Sequence, residues 1–303
     1  AAGIEMTTVD NPGNAADANG FGSVDYVYHI SKYEVTVGQY VEFLNAVAAC
    51  DTHGLYDDEH MTQIIIRSGG DGKYTYASAE GMANRPITYV SFWDACRFAN
   101  WLHNGSPTDR GQDLLSTEDG AYFLNGETAP EELVEREEDW RFAIASKNEW
   151  YKAAFHDASA KLAASYHAYA TGDTISTEMA NYGDVLGHTT DVGSYDERSD
   201  YYTYDQAGNV LEWNDTLAQD LITKLAEQDL LKRSLSDGSY LASADILGLN
   251  KQMPNVAAPS QSNGAWGFRI VSLPEPGSLA VFLASSAAIV ARRRRRQSRL
   301  VAN

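Results

Sequence analysis

Three sets of residues in this chain have the types and spacing to do chemistry: carboxylates among apolar residues, scattered cysteines and histidines, and tyrosines gathered on loops. The sharpest carboxylate is Glu212, in Gly208-Asn209-Val210-Leu211-Glu212-Trp213. A Gly-Asn turn that runs into alternating apolar and acidic residues and then Trp213 suits the entry of a buried strand. A carboxylate placed there needs a cation or several donors, because an unpaired buried charge is very costly. A second marker, Gly264-Ala265-Trp266-Gly267-Phe268-Arg269, lies near the end of the globular part.

The remaining reactive residue types point away from catalysis. Two cysteines, Cys50 and Cys96, cannot build a disulfide framework or a four-ligand zinc site. They are either one disulfide of an exported protein or two free thiols. The seven histidines (29, 53, 60, 103, 156, 167, 188) show no His-Glu-x-x-His and no paired spacing. There is no Gly-x-Ser-x-Gly elbow and no phosphate-cradling Walker loop. Asp57-Asp58-Glu59 reads as a solvated loop of an acidic chain.

The elements that must hold these residues are legible from their starts. Thr36 with Gln39, Ser91 with Asp94 and Ser146 with Glu149 each form a capping box. Behind the first, Val37, Tyr40, Val41, Leu44, Val47 and Ala48 follow one helical face and predict a helix over 37–49. Behind the second, Phe92, Ala95, Cys96, Ala99 and Leu102 mark a buried face that stops at Asn104-Gly105. The third opens a helix carrying Trp150, Ala153 and Ala154. Tyr26 to Ile30 and Tyr74 to Tyr76 read as short strands. Residues 104–139 are polar and acidic and read as a solvated insertion.

Composition bounds the rest. The chain has 303 residues and 44% apolar content, enough for a sizeable core, and a net charge of −19. Six of its 23 basic residues follow residue 291, which leaves 17 bases against 42 acids, a net −25, in the first 276 residues. That body repels nucleic acid and anionic membrane, and it suits an exported protein or a calcium binder. The opening Ala1-Ala2 fits a mature start after signal-peptide cleavage or a trimmed chain.

Taken together, these motifs resemble the formylglycine-generating enzyme/sulfatase-modifying factor family. Its members carry Gly-Asn-Val/Ala-Trp-Glu-Trp and a closing Gly-Phe-Arg, and Leu211 stands here for the first Trp. Glu34-Val35-Thr36, the run from Pro86 to Ala95, and Asn148-Glu149-Trp150 are similar to that family's landmarks, in its order. Ala143-Ile144-Ala145-Ser146-Lys147 departs from its usual Arg-Leu-Pro-Thr-Glu. The likeness spans 24–271 within a domain of 1–272. It implies a C-type-lectin-like α+β fold with little regular secondary structure, a small twisted antiparallel sheet, two to three helices and long loops.

The resemblance also says where chemistry belongs. The family's Gly-Gly-Ser-Trp/Tyr segment precedes two copper-binding cysteines. Aligning Gly238-Ser239-Tyr240 puts Ala242 and Leu247 at those positions, and no Cys, His or Met lies from 236 to 252. Copper, a soft-ligand metal, is therefore not expected, nor is the oxidase reaction. The related sulfoxide synthases need an iron-binding helical domain that this chain lacks. Structural calcium is implied instead, at Asn209 with Glu212, and at Asn181 by side chain with Tyr182 by carbonyl. The alternative for the first pair is that Asn209 caps its turn while Glu212 pairs with Arg269.

The tail reads separately, over 273–303. Leu273-Pro274-Glu275-Pro276 is followed by fifteen small or apolar residues, 277–291, and then by Arg292, Arg293, Arg294 and two more arginines. Fifteen falls short of the ~20 of a spanning helix. The order resembles the PEP-CTERM sorting signal, and an ordinary C-terminal anchor is the alternative. The signal implies a Gram-negative bacterium, transient inner-membrane insertion, cleavage by an exosortase-type sorting protease, and delivery to the cell surface or extracellular matrix. The expected function is a non-catalytic protein that binds an extracellular polysaccharide or surface protein through Tyr201, Tyr202, Trp213 and Ser239. The scaffold is also used by the variable ligand-binding proteins of diversity-generating retroelements. A divergent enzyme and a purely structural matrix component are the alternatives.

Overall fold

The structure, a computed structural model, describes residues 3–108, 111–126, 133–160, 163–221, 231–236, 238–249 and 255–274. Among them are ten short strands, β1 to β10, and three α-helices, α1 to α3, joined by long loops. The α+β expectation holds. In place of one antiparallel sheet there are three.

The first sheet runs β1 (Met6–Val9), β2 (Tyr28–Ser31), β10 (Ile270–Ser272), β5 (Phe142–Ile144), all antiparallel. A separate hairpin joins β3 (Ile65–Ser68) to β4 (Thr75–Ser78). In the third sheet β8 (Asn255–Ala257), β7 (Arg233–Ser236) and β6 (Leu211–Leu217) are antiparallel, and β9 (Trp266–Phe268) lies parallel to β6. This last pairing sets Glu212 beside Gly267 and Trp213 beside Phe268, so the two sequence markers lie side by side. Arg269 falls between β9 and β10, where the chain passes from one sheet to another.

Each helix begins as its sequence dictates. In α1 (Val37–Val47), α2 (Phe92–His103) and α3 (Lys147–Phe155), the capping hydroxyl accepts from the third residue's N–H and that residue's side chain returns a bond. This satisfies donors that a helix start leaves orphaned. The first helix ends at Val47 rather than at 49. Tyr40 and Phe43 pack on Phe98, which meets Phe268 edge-on at 5.4 Å, so α1, α2 and β9 share one aromatic core. Cys50 is exposed and Cys96 is buried in α2, and both are free.

Part of the 104–139 segment departs from the solvated excursion its composition suggests, while Glu138 and Asp139 at its acidic end are exposed. Ser116 to Asp119 are buried, and Tyr122 is fully so. Arg97 grips Glu118 with two bonds of 2.8 and 3.1 Å, and Asn100 donates to the Thr117 and Tyr122 carbonyls. Arg136 lies between Glu149 and Asp215 at 2.8 and 2.6 Å. Charges that look like a solvated run become buried pairs because their partners stand on α2, α3 and β6. No helix among the described residues is long and apolar enough to cross a membrane. Pro274 is exposed. The other predicted sorting residues, Glu275, Pro276, Arg292, Arg293 and Arg294, lie outside the described residues.

Candidate functional site

Glu212 has its cation. Arg269 donates from Nε to Oε2 at 2.6 Å and from Nη2 to Oε1 at 2.7 Å, and Trp150 Nε1 donates to Oε2 at 2.8 Å. The other guanidinium donors reach the carbonyls of Ser31, Lys32 and Tyr204. Every N–H of Arg269 is thus used in a site closed to solvent, where a bidentate pair holds best. Beside it stands Glu34, which accepts from Asn209 Nδ2 at 3.0 Å and whose Oε2 has no partner among the described residues. Burial, and then repulsion from Asp205, push its carboxyl well above the usual range. Burial likewise raises Asp205 to about 6.

The Asn209–Glu212 pair therefore does not fit a calcium ion. Both carboxylate oxygens face N–H donors, and Asn209 Oδ1 accepts from Thr190 N and Asn181 Nδ2. Asn209 sits at a positive φ of 57° in its turn. The alternative of turn cap plus ion pair describes this arrangement. Asn181 differs. Its Oδ1 is buried with no partner among the described residues, and Tyr182 is half-buried next to it. Gly208 passes so close that a Cβ there would lie 2.1 Å from the Asn181 carbonyl oxygen. An orphaned hard acceptor on an irregular loop fits calcium chemistry.

Ala242 and Leu247 come together in space. A Cβ built on Gly238 would lie 2.5 Å from Ala242 Cβ and 2.9 Å from Leu247 Cδ2. Two methyl-bearing side chains on one glycine make an apolar contact that offers a metal no ligand atom.

Of the four residues expected to touch ligand, the structure removes three. Trp213 is fully buried, donates to the Val90 carbonyl and meets Trp266 edge-on. Tyr201 is 3% exposed, with its hydroxyl against His156 Nδ1 and Asn11. Ser239 is also 3% exposed. Tyr202 alone faces solvent, at 53%, with Arg198 over its ring. Trp213 and Tyr201 are core residues because β6 and the 199–203 loop turn inward, and Ser239 is buried in the loop after β7.

A cleft that the sequence did not announce lies elsewhere. It holds about 400 Å³ and is lined by His60, Arg85, Tyr89, His188, Tyr240 and Gly264, among others. His60 stacks on Tyr89 at 5.1 Å. Tyr89 has φ +60°, a left-handed conformation that costs a non-glycine residue about 1 kcal/mol or more. Gly264 makes room, since a Cβ there would lie 2.5 Å from the Tyr89 hydroxyl. Tyr89 also lines an adjoining recess of about 280 Å³ with Trp93, Asp94, Ser260 and Ser262. The linings come from five stretches far apart in sequence. The legible hint was Arg85-Pro86 followed by a tyrosine ahead of a capping box.

Short strands, three box-capped helices and long loops around a Glu–Arg pair define the lectin-like fold class of the sulfatase-modifying factors. The chain belongs to the Sulfatase-modifying factor enzyme 1-like domain family, which it matches over residues 16–273. Among solved structures it is similar to the crystal structure of CarF, at 21% identity and a TM-score of 0.61, over 91% of this chain and 100% of that one. It is also similar to Treponema denticola variable protein 1, at 19% identity and a TM-score of 0.55, over 89% and 95% of the two chains. Both likenesses concern fold. No curated protein matches the chain.

Proposed function

We propose that this protein is a non-catalytic binding protein, exported to the cell surface or extracellular matrix of a Gram-negative bacterium, whose lectin-like body holds a glycan in the Tyr89 cleft. One observation carries this reading: the positions aligned with the family's copper cysteines are Ala242 and Leu247, packed on Gly238, while an open cleft with an aromatic wall lies along the same loop at Tyr240. Aliphatic side chains supply neither a thiolate nor a metal ligand. Aromatic faces beside threonines and an amide suit the alternating C–H and O–H surface of a sugar. Asn181 and Tyr182 would hold a calcium ion that stiffens the loop behind the cleft. The tail after Pro274 would serve an exosortase-type sorting protease.

The test is a glycan array and a matrix pull-down with the full chain, comparing Tyr89→Ala and Tyr240→Ala with Tyr202→Ala. Glycan capture lost in the first two and kept in the third is expected. Capture of proteins only, or oxygen-dependent turnover of a cysteine peptide, overturns the reading.

A further inference from the structure

We infer that the Tyr89 cleft selects a sugar ring bearing one carboxylate, a uronate-type ligand, with Arg85 as the anchor for that group. This deepens the glycan reading above and rests on it.

Arg85 is a cation without adequate partners. Its Nε is buried and makes no hydrogen bond among the described residues. Its closest carboxylate, Asp191 Oδ1, is 4.0 Å away and half-exposed. Its Nη1 lies 3.4 Å from His188 Nδ1, but that nitrogen is 2.8 Å from the Thr189 carbonyl oxygen. A carbonyl can only accept, so Nδ1 carries the proton there and cannot also accept from Arg85. The Arg85 side chain, 25% exposed, therefore lines the cleft without a carboxylate filling its fork. Contrast Arg97, Arg136 and Arg269, each of which grips a carboxylate at 2.8 Å or closer. Arg233, buried and also without a close carboxylate among the described residues, fills its fork instead by donating to the Asp215 and Val134 carbonyls.

The surroundings narrow the ligand. A planar fork matches a planar carboxylate bidentately. Only one guanidinium is present, and Glu59 lines the same cleft, so a multiply charged oxyanion is poorly matched. The stacked His60–Tyr89 pair offers a rigid wall for the ring's C–H face, while Thr62 and Gln63 offer partners for hydroxyls. The backbone around Arg85 is fixed, since its N–H donates to the Met82 carbonyl and its own carbonyl accepts from Val37 at the start of α1. The adjoining recess past Tyr89 has room for the next residue of a chain, so a free uronate and a uronate at the end of a polymer present the same group.

The experiment is calorimetric titration of the full chain with glucuronate, a short oligoglucuronate, glucose and inorganic phosphate. Glucuronate is expected to bind about tenfold or more tighter than glucose, and phosphate to bind weakly. Arg85→Gln should erase the preference while leaving Tm unchanged. Arg85→Lys, which keeps the charge and loses the fork, should lose most of it and stands in should Arg85→Gln fail to fold. Oligomer binding without monomer binding would place the ligand's source in a polymer and keep the assignment. Equal binding of glucose and glucuronate, a preference that survives in the folded Arg85 variants, or phosphate binding as tight as glucuronate would each overturn it. If the array shows Tyr89-dependent capture of neutral glycans only, the uronate assignment falls and the glycan reading stands. If no glycan is captured at all, both fall.

Discussion

Arg269 holds both oxygens of Glu212, at 2.6 and 2.7 Å, in a place where neither side chain touches solvent. The pair links the third sheet to the first, because Glu212 lies in β6 and Arg269 precedes β10. Removing one partner leaves an uncompensated buried charge, which typically costs about 3–5 kcal/mol. Glu212→Gln and Arg269→Met are each expected to lower the free energy of unfolding, read from urea denaturation, by that order. The double variant Glu212→Leu/Arg269→Met should lose less than the sum of the single losses. Additive losses in urea unfolding would show that the pair is not coupled.

The carboxylates divide into two groups with opposite pH behaviour. Burial raises Asp94 and Asp205 to about 6. Their folded forms hold protons that the unfolded chain has released, so stability from these groups is full below about pH 4 and is lost as pH rises toward 6. Glu118 and Glu149 run the other way. Burial would raise them, but the Arg97 and Arg136 guanidiniums outweigh it and hold both below the usual range. Their contribution is present above the ordinary glutamate value and is lost on further acidification. The maximum of stability should thus fall on the acid side of neutrality. Urea midpoints at about pH 5 and about pH 7.5 would test it, with Asp94→Asn flattening the slope between them. A midpoint that rises steadily to neutrality refutes the assignment.

The three capping boxes were legible because each is written within four residues. The Glu212–Arg269 pairing was legible as one of two alternatives because both ends lie in recognisable motifs. Tyr201 and Tyr202 show the limit. Adjacent, identical and on an irregular loop, one closes on His156 and the other faces water, and no periodicity exists there to say which. Glu118 shows another limit, since its partner Arg97 lies on a helix that ended before the acidic run began. The Arg85 cleft assembles from separated loops, so only the fold could bring its lining together.

The two thiols should differ sharply in reactivity. Cys50 is exposed, whereas Cys96 is fully buried in α2, where burial pushes its thiol well above the usual range. A thiolate-directed reagent such as a disulfide dye should therefore label one thiol quickly in the native chain and the second only on unfolding. Two fast thiols, or a mass lower by two hydrogens, would contradict this arrangement.

Calcium tests the loop behind the cleft separately from the ion pair. Asn181 Oδ1 is a buried acceptor with no protein donor, whereas Glu212 is saturated by Arg269 and Trp150. A ligand present at about 100 times its Kd stabilises by about 2.7 kcal/mol. Added calcium should raise Tm and chelator should reverse the rise. The response should vanish in Asn181→Ala and persist in Tyr202→Ala, whose side chain lies on a different loop. A response that survives in Asn181→Ala would move the cation elsewhere, and the unpartnered Oε2 of Glu34, next to Asp205, would then be the place to examine.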